Sequence, residues 1–370
     1  DKDEMYRTIK KITFRLLVAG NGIVVLLMLL VGNVDRLDPV DHPLLANLGL
    51  GFPILLAFNL GFLVLWCFVR LRTVWLPLLG FLLCYGPVRN YSPFNLPEEK
   101  PHGSIKVLSY NVFMFSTWSE PGGEQNPIVD YILKSKADIV CLQEAQADVE
   151  GTDRIYPALK KHYPYFRLMV KKKPGADHMV LLSRYPVLWQ DSIPYGSGSN
   201  QSVAYLVDIK GTKTLVVNNH FESNGLSTGD KENFKTLVKG DMDTHDARNE
   251  SFHLLRKLGE VSARRAPQAV AVARYVRKYL DRKVPVILCG DFNDSPLSYT
   301  HRTIARELTD CYVASGNGPG ISYHRSGMYF RIDHIFCSDD FEPYGAKVDD
   351  SAETSDHYPI CCWLKYRPKP

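Results

Sequence analysis

Apolar residues are concentrated in the first hundred positions, where they form three long runs with few charges. The runs cover residues 12–31, 48–69 and 74–88. The first two are each about 20 residues long, which at about 1.5 Å per residue matches a hydrocarbon core of about 30 Å. The third is shorter and contains two prolines, so it crosses a bilayer only if it tilts or if flanking residues help. We therefore predict an α-helical transmembrane domain over residues 5–89 with about three helices.

The basic residues beside these runs indicate an orientation. Lys and Arg stand at positions 2, 7, 10 and 11 before the first run and at positions 70 and 72 before the third, whereas residues 34–46 carry one Arg among three Asp. The positive-inside rule places the amino terminus and the 70–72 loop in the cytoplasm. With three spans, everything after Arg89 lies outside the cytoplasm, in the periplasm if the source is Gram-negative. Residues 1–4 precede Met5 and are set aside as an expression remnant.

A polar, proline-rich segment, residues 90–103, is predicted to link the membrane domain to a second domain over residues 104–370. The chain has 44 basic and 40 acidic residues, of which 34 and 32 follow residue 100. So small a surplus argues against a surface that binds nucleic acid regardless of sequence. The cysteines of this domain have no CxxC spacing and lie in apolar runs. We interpret them as core residues rather than zinc ligands or disulfide partners.

In the second domain, short β-favouring runs lead directly into polar residues, except the last run, which polar residues precede. Residues 286–296 show this most clearly, because the run VILC leads straight into GDFNDSP. Taken alone, this stretch reads as a turn that ends a strand. Similar runs occur at residues 105–110, 137–142, 214–218, 329–332 and 358–364, with helical patterns at residues 128–135 and 264–280. The alternation predicts an α/β domain.

The polar residues at these strand ends share a consistent chemistry. They offer carboxylates, amides and two imidazoles: Asn111, Glu144, His220, Asp291, Asn293, Asp333, Asp356 and His357. Sandwich folds gather strand ends at one rim, so we expect these side chains to meet there. Oxygen donors without thiolates suit a hard cation such as Mg²⁺, and histidines beside acids suit proton transfer. Each stretch alone also has an ordinary structural explanation, such as an ion pair between Arg331 and Asp333.

Six motifs carry a resemblance to a known superfamily. They are SYNV at 109–112, LQE at 142–144, NNHFES at 218–223, GDFND at 290–294, RIDHIF at 331–336 and SDHYPI at 355–360. Their order resembles that of the endonuclease/exonuclease/phosphatase superfamily, which contains deoxyribonuclease I, apurinic endonucleases, neutral sphingomyelinases and inositol polyphosphate 5-phosphatases. The resemblance covers about residues 104–366. It implies a four-layer α/β sandwich of the deoxyribonuclease I type, with two mixed sheets face to face and helices outside.

The resemblance also implies roles for the matching residues. Glu144 resembles the principal Mg²⁺ ligand, with Asn111 and Asp356 near the metal, and Mn²⁺ or another divalent cation is also compatible. The catalytic set would be His220, Asp291, Asn293, Asp333 and His357. The phosphate-binding set would be Asn111, His220, Asn293 and His357. Asp333 would orient His357, and either His357 or Asp291 would be the general base. Whether one or two metal ions act stays open.

Motif details and the membrane domain narrow the expected substrate. The stretches GDFNDSP and YFRIDHIF lack the signatures of 5-phosphatases and apurinic endonucleases. A short tether keeps the domain close to lipid head groups, which favours a phospholipid or sphingophospholipid substrate and the bilayer as partner. We therefore expect a Mg²⁺-dependent, membrane-tethered phosphodiesterase. A tethered nuclease that binds nucleic acid and a non-catalytic binding protein stay open as alternatives. Residues 224–260 are either a surface excursion or a lid over the substrate.

Overall fold

The computed structural model of the chain describes residues 2–116, 126–146, 154–171, 177–241 and 243–367. The helices of these residues are α1 (Lys2–Gly32), α2 (Phe52–Val69), α3 (Trp75–Leu83), α4 (Tyr85–Tyr91), α5 (Pro127–Ser135), α6 (Ile155–His162), α7 (Thr228–Lys239), α8 (Thr244–Leu280), α9 (Tyr299–Ala305) and α10 (Cys311–Ser315). The strands are β1 (Ile105–Asn111), β2 (Ile139–Gln143), β3 (Tyr165–Val170), β4 (His178–Ser183), β5 (Val187–Ser192), β6 (Gln201–Ile209), β7 (Thr212–His220), β8 (Val286–Asp291), β9 (Thr309–Asp310), β10 (Asp333–Cys337), β11 (Phe341–Val348) and β12 (Ile360–Tyr366).

The strands form two six-stranded sheets, ordered β11-β12-β1-β2-β4-β3 in the first sheet and β5-β6-β7-β8-β10-β9 in the second sheet. Apolar side chains from both sheets fill the space between them: Val107, Ile139, Cys141, Val216, Ile287 and Cys289. A second apolar cluster joins the first sheet to α5 and α6, and a third joins the second sheet to α8 and α9. These four layers confirm the predicted α/β sandwich. All eight cysteines are free thiols, and those in the strands are buried, as predicted.

The strand order brings the polar strand ends to one rim. β7 runs parallel to β8 and β10 runs antiparallel to it, so His220, Asp291 and Asp333 lie side by side in register. In the first sheet, Asn111 at the end of β1 pairs with Gln143 at the end of β2. The strand expected at residues 329–332 is wrong, because β10 begins at Asp333. Because β10 is antiparallel to β8, its first residue, and not its last, lies at the rim where β8 ends.

Gly290 makes the close pairing at this rim possible. Its φ is 140°, and a Cβ at this position would lie 1.9 Å from the carbonyl oxygen of Asn219. Glycine alone adopts this conformation readily and leaves room for the neighbouring backbone. β7 and β8 therefore stay paired as far as His220 and Asp291, which places these two side chains next to each other.

Among the described residues, two helical segments are long and apolar enough to cross a membrane, Lys2–Arg36 and Leu48–Val69. The third apolar run forms α3 and α4, which are bent by 68° and count together as at most one further span. The single helix expected over residues 74–88 is therefore wrong. Pro87 explains the break at Cys84, because it is tolerated in the first turn of α4 but would clash in the interior of a continuous helix.

Most of the segment between β7 and residue 264 is helical. α7 begins with a capping box formed by Ser227 and Asp230. α8 begins after Asp243, whose side chain accepts two backbone N–H groups, and it runs for 37 residues. The start predicted at residue 264 is thus too late. The first half of α8 packs against α7, where Lys257 Nζ contacts Asp230 Oδ2, and Gly259 meets Pro43 in the loop that follows α1.

The sandwich rests directly on the apolar helices. Leu297 follows β8 and is buried in a cluster with Met28, Phe52 and Cys84. A Cβ at Gly49 would lie 2.8 Å from the carbonyl oxygen of Leu297, so the two backbones meet with no side chain between them. The loop that begins at Asp291 is therefore fixed against the helical domain within six residues.

Polar contacts extend this docking surface. Arg302 Nη1 lies 3.3 Å from Asp35 Oδ2, and Arg331, which is buried, donates to the backbone carbonyls of Asn90 and Tyr91. The first two residues of the predicted linker belong to α4. Further along it, Asn95 Nδ2 donates to the carbonyl oxygen of Gly316 at 2.6 Å. The segment over residues 90–103 is thus attached to the sandwich through several bonds.

Candidate active site

Asn111 joins the two sheets at the centre of the site. Its Nδ2 donates to Glu144 Oε1 at 3.1 Å and to Asp291 Oδ2 at 3.0 Å. Its Oδ1 accepts the backbone N–H of Phe113 at 3.1 Å, which fixes the orientation of the amide. Glu144 has a φ of 50° and follows β2, so its side chain turns towards the rim. One amide therefore holds one carboxylate from each sheet.

Two histidine–aspartate pairs flank Asp291. His220 Nδ1 lies 2.8 Å from Asp177 Oδ2, and His357 Nδ1 lies 2.8 Å from Asp333 Oδ2. The Nε2 atoms of both rings lie 3.7 Å from the same oxygen, Asp291 Oδ2. His220 Nε2 also lies 3.7 Å from Glu144 Oε1. The outer aspartate of each pair accepts a hydrogen bond from the Nδ1–H of its histidine. Each ring therefore directs Nε2 towards the centre of the site.

The surrounding carboxylates control the charge of these histidines. Burial opposes protonation, but Asp177 and, more weakly, Asp291 and Glu144 raise the pKa of His220 to about 9. Burial is likewise outweighed at His357, where Asp333 and Asp291 raise the pKa well above its ordinary value. Burial also raises the pKa of Asp291 and of Glu144. Without a metal ion, the two imidazoles are therefore protonated at neutral pH and offset the buried negative charge.

The loop after β8 is held by its own backbone and by Arg265 of α8. The backbone N–H of Asn293 donates to Asp291 Oδ1 at 2.7 Å, and Asn293 Nδ2 donates to the carbonyl oxygen of Phe221 at 3.2 Å. Arg265 is almost completely buried, and its Nη1 lies 3.0 Å from Asp294 Oδ2. Its Nη2 donates to Asn224 Oδ1 at 2.7 Å, and Asn224 donates in turn to the carbonyl oxygen of Asn293. Arg265 thus positions the loop after β8 through these contacts from α8.

The structure brings seven of the eight predicted site residues into one set of direct contacts: Asn111, Glu144, His220, Asp291, Asn293, Asp333 and His357. Asp356 lies close enough for its charge to raise the pKa of Glu144, although burial is the larger cause of that shift. Its Oδ1 is buried without a hydrogen-bond partner among the described residues. Glu144, Asp356 and the Oδ1 of Asn111 could therefore hold a hard divalent cation.

Two residues of the site were missed from the sequence, Asp177 and Arg265. Asp177 directly precedes β4, which is not among the strands predicted above. β4 is antiparallel to β2, so the residue before it lies at the rim where β2 ends. The acid that directly precedes the run HMVLLS was therefore a usable signal. Arg265 lies inside a helix and contacts the loop only through the tertiary fold, so nothing local marks it.

Residues 108–357 match the profile of the Endonuclease/Exonuclease/phosphatase family, which covers more than half of the chain. The chain belongs to the endonuclease/exonuclease/phosphatase family. It is a phosphoester hydrolase of that family, whose enzymes use divalent metal ions, commonly Mg²⁺. Residues 14–91 match a second family, described as a domain of unknown function.

The chain is also similar to a bacterial relative and to several solved structures. YbhP of Escherichia coli strain K12, described as an uncharacterized protein, is 23% identical over 271 residues, or 72% of this chain and 98% of YbhP. The human Nocturnin catalytic domain with bound sulfate has a TM-score of 0.49 at 16% identity, covering 71% of this chain and 95% of that chain. The beta toxin of Staphylococcus aureus has a TM-score of 0.47 at 18% identity, covering 70% and 100%. The family assignment does not depend on these structures.

The raised pKa of His220 predicts a pH dependence of stability for the metal-free protein. Its folded pKa of about 9 exceeds the ordinary value of 6.5, so the protonated ring stabilises the fold fully below pH 6.5. This contribution, of order 3 kcal/mol at about 1.4 kcal/mol per pKa unit, is lost as the pH rises through about 9. In EDTA, the melting temperature of the wild type should fall more between pH 6.5 and pH 9 than that of His220→Gln.

The control for this measurement is His102→Gln, which changes an exposed histidine outside the site. Its melting temperature should follow the wild-type pH profile. Parallel profiles for the wild type and His220→Gln would show that the ring is not held protonated by Asp177.

The contacts of Arg265 lead to a second prediction, which concerns the turnover of the enzyme. Replacing Arg265 with Met removes the contacts to Asp294 and Asn224, and a displacement of catalytic groups by about 1 Å can lower turnover by about 100-fold. We expect kcat for a soluble chromogenic phosphoester to fall by about 10- to 100-fold. Arg265→Lys should recover only part of this loss, because a single ammonium cannot replace the guanidinium fork.

Arg264→Met is the matched control, because Arg264 is the exposed neighbour of Arg265 on the same helix. It should keep wild-type turnover. Equal kcat values for Arg264→Met and a folded Arg265→Met would rule out the positioning role.

Proposed function

We propose that this chain is a membrane-anchored phosphodiesterase that cleaves a phosphate ester in a lipid head group by metal-assisted attack of water. The family supplies the reaction class. The substrate class rests on one observation: the loop that carries Asp291 and Asn293 packs through Leu297 onto the helices that are apolar enough to cross a membrane. A head group at the membrane surface would therefore lie close to the site.

The proposed cation is Mg²⁺, with Glu144 as principal ligand and Asn111 and Asp356 beside it. The donors fit, because they are oxygens, and Asp356 Oδ1 is buried without a hydrogen-bond partner among the described residues. When bound, the ion would polarise the phosphoryl group and offset its negative charge. It would also compete with the protons on the histidines, since His220 Nε2 lies 3.7 Å from Glu144 Oε1.

The side chains of this chain would divide the remaining work. Asp291 would orient the attacking water and accept its proton, which its raised pKa favours. His357, held by Asp333, would give its Nε2 proton to the leaving oxygen as the P–O bond breaks. His220 and the amide of Asn293 would donate hydrogen bonds to the phosphoryl oxygens, where negative charge grows in the transition state.

The position of the basic residues supports an extracytoplasmic site. The sandwich docks where α1 ends and α2 begins, through contacts to Asp35 and Gly49. The lysines and arginines at positions 7, 10, 11, 70 and 72 belong to the opposite helix ends, since Arg70 lies 4.5 Å from the ring of Phe14 in the first half of α1. The positive-inside rule then puts the helix ends that carry the sandwich outside the cytoplasm.

The segment over residues 224–260 also reaches the site. Lys231 Nζ of α7 donates to the hydroxyl of Tyr323 at 3.3 Å, and the ring of Tyr323 lies edge-on to His357 at 5.2 Å. Phe252 of α8 is 59% exposed, as a side chain that contacts lipid would be. These contacts favour a covering role for the segment over an unrelated surface excursion.

The metal assignment predicts a specific loss in Glu144→Gln. The substitution keeps the shape of the side chain but removes its charge, so Mg²⁺ affinity should fall by at least about tenfold and turnover at limiting Mg²⁺ should fall with it. Titration of Mg²⁺ against hydrolysis of bis(4-nitrophenyl) phosphate measures both. Wild-type turnover of this variant at limiting Mg²⁺ would overturn the assignment.

The docking surface predicts a difference between Gly49→Val and Gly51→Val, two substitutions in one short helical turn. A Cβ at Gly49 would meet the carbonyl oxygen of Leu297 at 2.8 Å, whereas one at Gly51 would have no neighbour within 4 Å. For full-length protein in bilayers, we expect Gly49→Val to lower Mg²⁺-dependent cleavage of the lipid head groups at least about fivefold more than it lowers hydrolysis of a soluble diester. Gly51→Val should leave this ratio unchanged.

The same preparation should be offered phospholipids, sphingomyelin and DNA, with and without Mg²⁺. Head-group release that exceeds DNA cleavage would support the lipid substrate. DNA cleavage far above lipid cleavage would instead favour a tethered nuclease, and no hydrolysis of any phosphodiester by folded protein would favour a binding protein.

A further inference from the structure

A second cluster of potential ligands lies behind the active site, on the other face of β10. Successive residues of a strand point to opposite faces, so Asp333 faces the catalytic centre and His334 faces the helices outside the second sheet. There His334 meets His301 of α9 and Asp310, which ends β9 and caps α10. All three are buried, with exposures of 0%, 2% and 8% for His334, His301 and Asp310.

The three side chains are close enough to share one ion. A ligand atom from each, two imidazole nitrogens and one carboxylate oxygen, lie within 4.8 Å of one another. His301 Nε2 lies 2.7 Å from Asp310 Oδ2. Asp310 Oδ1 accepts the backbone N–H groups of Tyr312 and Val313, so Oδ2 is the oxygen left for the histidines.

His334 is not satisfied by this arrangement. Its Nε2 lies 3.1 Å from the backbone carbonyl oxygen of Asp294, so Nε2 carries the proton and donates it. Nδ1 of the neutral ring then has a free lone pair, and it is buried without a hydrogen-bond partner among the described residues. A ring N–H held by a backbone carbonyl is the usual support of a metal-bound histidine, because it fixes the tautomer and the ring orientation.

The chemistry of the donors separates this cluster from the catalytic site. Two imidazoles and one carboxylate suit a borderline cation such as Zn²⁺, whereas Mg²⁺ prefers oxygen donors alone. One charge opposes binding, because the guanidinium of Arg331 is near enough to interact with Asp310. That guanidinium already donates to backbone carbonyls of Asn90, Tyr91 and Pro319 and is stacked on Tyr312, so it is engaged outside the cluster.

We propose that His301, Asp310 and His334 form a three-ligand site for a divalent transition metal ion, with Zn²⁺ as the representative ion. The ion would tie α9, the start of α10 and β10 together. It would also act on the catalytic loop, since the carbonyl that orients His334 belongs to Asp294, three residues after Asp291. The site is independent of the proposed Mg²⁺ site and of the identity of the substrate.

The test is metal retention by the full-length protein in detergent. Protein stripped with EDTA is incubated with Zn²⁺, desalted into buffer that contains Mg²⁺ and analysed for bound zinc. The wild type and Glu144→Gln should each retain about one Zn²⁺ per chain, and His334→Phe should retain none. Phe is chosen because the neighbours of His334 are the rings of Phe292 and Phe336. His102→Phe, which changes an exposed histidine, should behave as the wild type.

A second variant covers the case in which His334→Phe fails to fold. Asp310→Asn keeps a side chain that caps helices as well as Asp does but removes the anionic ligand, so it should fold and lose the zinc. Zinc should also raise the melting temperature of the wild type and of Glu144→Gln, but not of Asp310→Asn. A wild type that retains no zinc, or an Asp310→Asn variant that retains as much as the wild type, would overturn the proposal. Loss of zinc in Glu144→Gln would place the ion in the catalytic site instead.

Discussion

The burial of Asp291 is the constraint on which the rest of the site depends. Its side chain is 1% exposed, and an isolated carboxylate in such a place would cost several kcal/mol. Oδ1 accepts the N–H of Asn293, and Oδ2 accepts the amide of Asn111 and faces two imidazoles at 3.7 Å. An outer aspartate accepts a hydrogen bond from the Nδ1–H of each imidazole and favours its protonated form. The site therefore forms as a whole, when both sheets contribute their strand ends.

Two buried polar residues near the rim, Gln143 and Asn218, connect the two sheets through hydrogen bonds and are not part of the predicted catalytic set. Gln143 Nε2 donates to Asn218 Oδ1 at 2.6 Å, and Asn218 Nδ2 donates to the carbonyl oxygen of Leu142 at 3.0 Å. These buried bonds join the end of β2 to the end of β7. Glu144 lies just beyond the end of β2 and His220 lies at the end of β7, so the amide pair fixes the separation of these two side chains.

The strand ends and the layered fold could be predicted from the sequence because their signals are local. A β-favouring run and the polar residue after it are neighbours in the chain, and the ordered motifs connect them to a known architecture. Asp177 was missed because β4 was not among the predicted strands, and its place at the rim follows only from the antiparallel pairing of β4 with β2. The role of Arg265 and the full length of α8 were not predicted, because both depend on contacts between residues that are far apart in the sequence. Pro87 indicated the helix break at Cys84, but the prediction of a single helix was based on hydropathy.

The loop from Asp291 to Leu297 connects the catalytic rim to the apolar helices. One end supplies the buried carboxylate, the middle is held by Arg265 through Asp294, and the other end is buried between the helices against Met28 and Phe52. Close-packed interiors transmit displacements, so a shift of Leu297 would be felt at Asp291 a few residues away. A domain on a flexible tether would feel no such coupling. The helices are therefore part of the support of the active site as well as its proposed membrane anchor, and the sandwich is not expected to keep the same geometry when they are removed.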